Sequence, residues 1–211
     1  MAENKRIVHL VDDDESVRRS ASFMLRTSGF VVKTYASGVE LLKDAKTITP
    51  GCILLDVRMP GLDGIEVQKA LQGEGILHPV IVMTGHGDVT VAVQAMKQGA
   101  VDFIEKPFEK ALLLGAIEAG FERLEKSSKR LARADEARVR LQALTSRELD
   151  VMKGLVRGHP NKTIAYDLGI SPRTVEIHRA NLMTKLEVAS LSEALRIAFT
   201  AGLGEESGPA A

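Results

Sequence analysis

Acidic and polar side chains follow four of the five predicted buried strands of this chain. Asp12–Asp14 come after the first strand, Asp56 after the third, Thr84 after the fourth and Lys106 after the fifth. The carboxyl ends of parallel strands meet at one edge of a sheet, where ligands bind. Carboxylates gathered there repel one another unless a cation joins them, and oxygen ligands at this density suit Mg²⁺. Lys106 and Thr84 would then bind phosphoryl oxygens, and Asp56 would be the nucleophile that forms an acyl phosphate.

Each of these residues also has an ordinary structural interpretation. Residues 12–15 could cap the first helix and face its dipole. Asp56, Thr84 and Lys106 could each be a surface loop residue. Taken together, the suitable residue types at four of five strand ends favour a phosphoryl and metal site.

The elements that would position this site are alternating strands and helices in the first 120 residues. Runs rich in β-branched apolar residues predict strands at 6–11, 31–35, 52–55, 79–83 and 101–104. Helical spacing predicts helices at 16–28, 38–46, 64–72 and 89–98, with another starting near Phe108. Nearly continuous apolar strands indicate a parallel sheet covered on both faces. The predicted fold is a doubly wound α/β domain with five parallel strands.

No further strand is predicted after about Leu112. A continuous helix from Phe108 to Leu144 would be about 55 Å long at 1.5 Å per residue. Its narrow apolar seam fits either a solvated spacer or a coiled-coil dimer. The few heptads, and the polar residues Ser128 and Asp135 in the seam, favour a spacer with weak self-association.

The last third is predicted to be helical, over 147–157, 162–168, 172–186 and 191–201. Ser171-Pro172 is a strong helix start, and we expect Asn161 to cap the helix before it in the same way. A turn containing Gly169 between the two helices is typical of a helix-turn-helix. The inward face of the second helix is predicted to consist of Val175, His178, Leu182 and Leu186.

The opposite face of that helix carries an unusual mixture of side chains. Ile177 and Ala180 would suit thymine methyl groups, and Glu176 could accept from a cytosine amino group. The other members of this face are Arg173, Asn181 and Thr184, and candidate phosphate contacts are Lys162, Arg173, Arg179 and Lys185. A generic helical bundle is the alternative, and residues 145–211 support it with 8 basic and 8 acidic residues. Against it, residues 157–186 hold five basic and two acidic residues.

Composition excludes several classes of protein. The 211 residues include 28 basic and 28 acidic side chains and are 45% hydrophobic, which excludes a disordered or collagen-like chain. No apolar run approaches the roughly 20 residues of a membrane span, and the first residues do not resemble a signal peptide. The single Cys52 suggests a reducing compartment, so we expect a cytoplasmic protein without membrane partners.

Four segments resemble the receiver domain of bacterial two-component response regulators, which has a flavodoxin-like fold. They are residues 10–14 (LVDDD), 54–61 (LLDVRMPG), 83–87 (MTGHG) and 103–108 (FIEKPF). The resemblance implies that Asp56 accepts a phosphoryl group from a kinase phosphohistidine. It also implies that Asp13 and Asp56 bind Mg²⁺ directly, Asp12 through water and Arg58 through its carbonyl. Thr84 and Phe103 correspond to the family's switch positions, and the Lys106-Pro107 bond is expected to be cis.

Three further segments, 144–148 (LTSRE), 161–165 (NKTIA) and 170–183 (ISPRTVEIHRANLM), resemble the LuxR-type DNA-binding domain. Together the two domains resemble the NarL/FixJ family, and its nitrogen-fixation branch most. The expected domains are a receiver at 1–122, a helical linker at 123–143, an all-α four-helix domain at 144–203 and a flexible tail at 204–211. The expected DNA contacts are Lys162, Arg173, Thr174, Glu176, Ile177, Arg179, Ala180, Asn181 and Lys185.

The resemblance implies a transcription factor rather than an enzyme. The expected partners are a FixL-like sensor histidine kinase, promoter DNA, RNA polymerase and, after phosphorylation, a second copy of the chain. Its targets would be nitrogen-fixation or microaerobic genes, or a different regulon under the same biochemistry. The more distant alternatives are a protein-binding adaptor and a Mg²⁺-dependent phosphatase using Asp56. Arg58 argues against the phosphatase, because a general acid would be needed there for turnover.

Overall fold

The computed structural model of the chain describes residues 6–85 and 89–204. The chain divides into two compact units, Met1–Ser127 and Ser128–Ala211. The division falls inside the segment predicted to be the linker. Most of the predicted tail, residues 205–211, lies outside the described residues.

The first unit contains a five-stranded parallel sheet in the order β2-β1-β3-β4-β5. Its strands are β1 (Ile7–Val11), β2 (Val31–Tyr35), β3 (Cys52–Asp56), β4 (Val80–Thr84) and β5 (Asp102–Glu105). The connecting helices are α1 (Glu15–Thr27), α2 (Gly38–Asp44), α3 (Gly64–Gly73) and α4 (Val89–Lys97). The predicted α/β fold is confirmed, with element ends shifted by one or two residues.

Both faces of this sheet are buried, and alternate strand residues enter two separate cores. Ile53 and Leu55 of β3 pack with residues of α2, α3 and α4 on one face. Cys52 and Leu54 pack on the other face with α1 and with the first turns of the helix that follows β5. All five residues of β3 are buried, and the continuous apolar run at 52–55 predicted this for the first four.

The long helix α5 (Lys110–Leu141) begins in the first unit and ends in the second. Its 32 residues correspond to about 48 Å, rather than the 55 Å expected for residues 108–144. Glu118 accepts two hydrogen bonds of 2.7 Å from the Arg6 guanidinium, and Phe121 stacks on Phe30 at 5.8 Å between ring centroids. These contacts attach the first half of α5 to the sheet domain.

The second unit contains α6 (Ser146–Val156), α7 (Asn161–Leu168), α8 (Pro172–Lys185) and α9 (Leu191–Thr200). Gly169 ends α7 in the left-handed conformation with φ of 65°, and Ser171 caps α8 by accepting from the Thr174 amide. The α7–turn–α8 layout is that of a helix-turn-helix. Within the described residues, no helix has the length and apolar character needed to cross a membrane.

Two details of the predicted helix pair differ in the structure. The expectation that Asn161 caps α7 is wrong, because Asn161 is already the first helical residue and Pro160 precedes it without a side-chain cap. The Asn161 side chain instead accepts a hydrogen bond of 2.8 Å from Arg179 on α8. Val175 and Leu182 are fully buried as predicted, whereas His178 is only half-buried.

Candidate metal centre and nucleic-acid interface

Three carboxylates meet at the carboxyl edge of the sheet. One oxygen of each of Asp12, Asp13 and Asp56 lies within 4.8 Å of the others. β1 and β3 are adjacent in the sheet, which brings the residues that end these strands together. Asp12 has no exposed surface, Asp56 is 4% exposed, and Asp13 is open to solvent. The cluster is therefore buried on one side and accessible on the other.

Lys106 joins two of these carboxylates from the end of β5. Its Nζ lies 2.7 Å from Asp12 Oδ2 and 2.8 Å from Asp56 Oδ1. Burial raises the pKa of Asp56, and the contact with Lys106 offsets only part of that rise. Burial alone would lower the pKa of Lys106, but its hydrogen bonds to the two carboxylates outweigh that effect and raise it. The three carboxylates and one ammonium leave an excess of negative charge for a cation.

The segment 12–15 both caps α1 and contributes to the carboxylate cluster. Asp14 caps α1, since its Oδ1 accepts from the Ser16 amide and hydroxyl at 2.7 Å. These hydrogen bonds lower the pKa of Asp14. Asp12 and Asp13 do not cap α1, and their carboxylates belong to the cluster.

Sequence reasoning missed a residue beside the cluster. Arg18 Nη1 donates to the backbone carbonyls of Asp12 at 2.7 Å and Asp13 at 2.9 Å. The only sequence signal is the position of an arginine in the first turn of α1, because helical side chains point towards the helix N-terminus.

The predicted switch positions lie on the neighbouring strands. Thr84 is buried, and its hydroxyl donates to the Gly85 carbonyl at 2.9 Å. Phe103 on β5 is 46% exposed. The two residues line an apolar cavity of about 460 Å³ together with side chains of α4. The motif residues 86 and 87 lie outside the described residues, and the Lys106-Pro107 bond is cis as expected.

The residues present fit a divalent cation with a preference for oxygen. The three side chains that converge are all carboxylates, two of them are buried, and neither sulfur nor imidazole lies among them. Such a donor set suits Mg²⁺, which is usually held by one or two carboxylates and shares its shell with phosphate. Arg58 is exposed and follows β3 by two residues, so it is close in the chain to Asp56.

The outer face of α8 is largely accessible. Ile177 on this face is 53% exposed. Thr174 and Arg179 are half-buried, and the other predicted contacts on α7 and α8 are exposed, namely Lys162, Arg173, Glu176, Ala180, Asn181 and Lys185.

Two of the predicted phosphate contacts also bond within the domain. Arg179 donates to Asn161 on α7, as described above. Lys185 Nζ lies 2.7 Å from Glu148 Oε2 of α6, and the Glu148 side chain is only 4% exposed. Two basic side chains of this face therefore also connect α8 to α7 and α6.

Comparisons with known proteins match both units. Residues 8–118 match the response regulator receiver domain, and residues 142–198 match the bacterial regulatory proteins of the luxR family. The chain is 49% identical over 197 residues to the transcriptional regulatory protein FixJ of Rhizobium meliloti, covering 93% of this chain and 97% of that protein. It is 38% identical to the response regulator protein TodT of Pseudomonas putida, covering 93% and 87%.

A solved structure matches over nearly the whole chain. It is full-length FixJ from B. japonicum, with 44% identity, a TM-score of 0.60 and coverage of 95% of this chain and 99% of that one. The receiver match includes the carboxylate cluster, and the luxR match includes the α7–α8 pair. The chain therefore belongs to the two-component response regulators that join a receiver domain to a LuxR-type DNA-binding domain, and it is similar to FixJ.

Proposed function

We propose that Asp56 accepts a phosphoryl group from a sensor histidine kinase, and that the phosphorylated chain dimerises and activates transcription from promoter DNA. The observation that carries this proposal is the contact of Lys106 with both Asp12 and Asp56 inside a cluster of three carboxylates. A capping cluster or a set of surface loop residues would not need a partly buried lysine in contact with two buried acids.

In the phosphorylation step, an Asp56 carboxylate oxygen attacks phosphorus and a new P–O bond forms. The bond from phosphorus to the donor histidine nitrogen breaks, and its electron pair stays on the imidazole. Asp12, Asp13, Asp56 and the carbonyl of Arg58 would hold Mg²⁺, which neutralises charge on the phosphoryl oxygens. Lys106 exchanges a carboxylate partner for a phosphoryl oxygen, and the hydroxyl of Thr84 donates to another.

The chain acts as a regulator and not as a phosphatase in this proposal. Turnover of a phosphomonoester needs a general acid for the leaving group. A phosphatase that used Asp56 would need this acid two residues later, where the chain has Arg58. A guanidinium does not give up its proton near neutral pH, so Arg58 cannot serve as the acid. Release of inorganic phosphate from a phosphomonoester by the chain would instead favour the phosphatase.

The signal passes from the receiver through its α4–β5 face. Movement of Thr84 towards the phosphoryl group would open room for Phe103 to bury its ring in the cavity between them. The outward residues of α4 and β5 then form the dimer contact, which includes exposed apolar side chains such as Val93 and Met96. Two paired receivers raise the effective concentration of the second DNA-binding domain at adjacent half-sites.

A rival mechanism is release of a DNA-binding domain that the unphosphorylated receiver masks. It predicts that residues 140–211 alone bind operator DNA much more tightly than the unphosphorylated full chain. Equal affinities would support dimerisation instead.

The DNA-binding domain reads base edges with the exposed face of α8. Glu176, Ile177, Ala180 and Asn181 would face the bases, and Thr174 is a further DNA contact. The phosphates would be contacted by Lys162, Arg173, Arg179 and Lys185. We assign residues 1–122 to the receiver, 123–143 to the linker, 144–203 to the DNA-binding domain and 204–211 to the tail.

The likeness to FixJ supports a FixL-like kinase as partner, and nitrogen-fixation or microaerobic genes as targets. We propose RNA polymerase as a further partner. Because the chain would act on promoter DNA, we also propose that it works in the cytoplasm. The likeness to TodT supports the alternative of the same biochemistry acting on another regulon. Footprinting the phosphorylated protein on its own genome's promoters would separate the two.

The phosphoacceptor is tested with Asp56→Asn, which keeps the size of the side chain and removes the attacking charge. Incubated with acetyl phosphate and Mg²⁺, the native chain should gain one phosphoryl group by intact mass, and the variant none. Asp14→Asn is the matched control, because asparagine also caps helices and Asp14 lies outside the cluster. A phosphoryl group still gained by Asp56→Asn would overturn the assignment.

A further inference from the structure

We propose that Arg18 is a positioning residue that holds the loop after β1 in its cation-binding geometry and so sets the affinity of the carboxylate cluster for Mg²⁺. This inference rests on the proposed function, since it concerns the same cluster. It assigns a task to a residue outside the set of carboxylates, lysine and hydroxyl described above.

The contacts of Arg18 are made to the backbone of the loop and not to its side chains. A single guanidinium nitrogen, Nη1, donates to the carbonyl oxygens of Asp12 and Asp13 at 2.7 and 2.9 Å. Charged donors form shorter and stronger hydrogen bonds than neutral ones. Two such bonds orient the two consecutive peptide planes that carry the first two acids of the cluster.

The remaining backbone contacts of this loop fix its two ends. At one end, the amide of Asp12 donates to Tyr35 on β2 at 3.2 Å. At the other, Asp14 donates its amide to Asp12 Oδ1 at 2.9 Å and starts α1 by accepting from the Arg18 amide at 3.0 Å. Among the contacts described, those from the Arg18 side chain are the ones made to the carbonyl oxygens of Asp12 and Asp13. Without them the peptide between Asp12 and Asp13 keeps none of the described hydrogen bonds, and the peptide between Asp13 and Asp14 is held by the Asp14 amide alone.

The exposure of Asp13 makes this support necessary. Asp12 is buried and contacts Lys106, and Asp56 is buried at the end of β3, so packing restricts both side chains. Asp13 is exposed, and the orientation of its side chain depends on the backbone that carries it. Residues that hold metal ligands in place from behind typically affect metal affinity by about 10–100-fold.

The positive charge of Arg18 would act in the opposite direction. A guanidinium near three carboxylates repels a divalent cation, so if charge were its main contribution, its removal would strengthen Mg²⁺ binding. If positioning is its main contribution, its removal weakens binding. The sign of the change therefore separates the two effects.

The experiment measures Mg²⁺ affinity by titration calorimetry on the full chain, without any phosphodonor. We expect Arg18→Met to weaken binding about tenfold or more. Arg18→Lys, which keeps a charged donor of similar reach, should restore part of the loss. Arg19→Met is the matched control, because Arg19 is the next residue of α1, is 78% exposed and pairs only with Glu15 among the described contacts. This control should bind Mg²⁺ as the native chain does or slightly more tightly.

A second readout separates positioning from general damage. With acetyl phosphate as donor, Arg18→Met should need about tenfold more Mg²⁺ for half-maximal phosphorylation, yet reach the native rate at saturating Mg²⁺. If Arg18→Met does not fold, Arg18→Gln, which retains one donating nitrogen, replaces it and should show an intermediate loss.

The outcomes are distinguishable. Native or tighter Mg²⁺ binding by the Arg18→Met chain would overturn the positioning role, as would a lower rate that saturating Mg²⁺ does not restore. A native chain that binds no Mg²⁺ would instead overturn the proposed function of the cluster.

Discussion

The buried carboxylate of Glu148 offers a sharp test of what holds the DNA-binding domain together. Glu148 is 3% exposed, and its Oε2 accepts from the Thr145 amide at 2.8 Å and from Lys185 Nζ at 2.7 Å. Glu148→Gln keeps an oxygen for the Thr145 amide but removes the charge opposite Lys185. It therefore isolates the ion pair between α6 and α8.

The magnitude follows from the exposure of the two partners. A hydrogen bond between charged groups contributes about 1.5–3 kcal/mol. Lys185 is 38% exposed and can be hydrated once its partner is neutral, so we expect the lower end, about 1.5 kcal/mol. Glu148→Ala also removes the capping box with Thr145, for a further loss of about 1 kcal/mol.

The assay is calorimetric unfolding of the full chain, with the receiver as internal reference. Mg²⁺ should raise the receiver transition alone, which identifies the other transition as the DNA-binding domain. A loss of 1.5 kcal/mol lowers the melting temperature of a domain of this size by about 6–12 °C. Glu176→Gln removes the same charge from an exposed position and serves as control, with an expected change within about 0.5 kcal/mol. Equal, small shifts for both variants would refute the reasoning.

The same pair predicts a pH dependence. Burial alone would raise the pKa of Glu148, but its hydrogen bonds to Lys185 and Thr145 outweigh this and lower it below its usual value of 4.5. The contribution of the pair is thus complete above pH 4.5 and is lost as pH falls through the lower folded-state pKa. The native domain should lose more stability than Glu148→Gln over that range, and parallel curves would contradict the assignment.

Three further predictions concern the switch, the DNA contacts and the backbone. The Lys106→Ala chain should still be phosphorylated in part, but phosphorylation should not lead to dimerisation, so that the phosphorylated protein stays monomeric in sedimentation. Full dimerisation would contradict this. Glu176→Ala should reduce the discrimination between bases at one base pair by about 1–3 kcal/mol. Arg179→Ala should weaken the affinity for all DNA sequences alike and reduce the slope of log affinity against log salt by about one unit. If Glu176→Ala weakens every sequence equally, the orientation assigned to α8 is wrong. Glu187 has φ of 51°, so Glu187→Gly should stabilise the domain by about 0.5–1 kcal/mol in calorimetry, and destabilisation would show that the glutamate side chain is needed there.

The sheet and the acidic site could be predicted because their signals are local. Each buried strand is a short apolar run, and parallel topology alone brings residues after β1 and β3 to one edge. Asp56 and Lys106 were therefore identified as neighbours although 50 residues separate them in the sequence.

The errors and omissions arose where a side chain contacts a residue distant in the sequence or a backbone carbonyl. Asn161 is a residue type that often caps helices, but α7 begins at Asn161 itself, one residue before the predicted start. Its side-chain oxygen accepts from Arg179 instead. Lys185 stays a predicted phosphate contact, but its ion pair with Glu148 was not predicted, because that partner lies 37 residues earlier in the sequence. Arg18 was overlooked because its partners are backbone carbonyls, which leave no trace in the pattern of residue types.

Phosphorylation of Asp56 as the control of DNA binding is most directly tested by measuring oligomeric state and operator affinity on the same samples. Native protein and Asp56→Asn are compared with and without acetyl phosphate, by sedimentation and by DNA titration at fixed salt. The native chain should become dimeric and bind operator more tightly after acetyl phosphate, while Asp56→Asn should change in neither respect. An equal gain in affinity by Asp56→Asn, or a gain by the native chain that remains monomeric, would contradict the account.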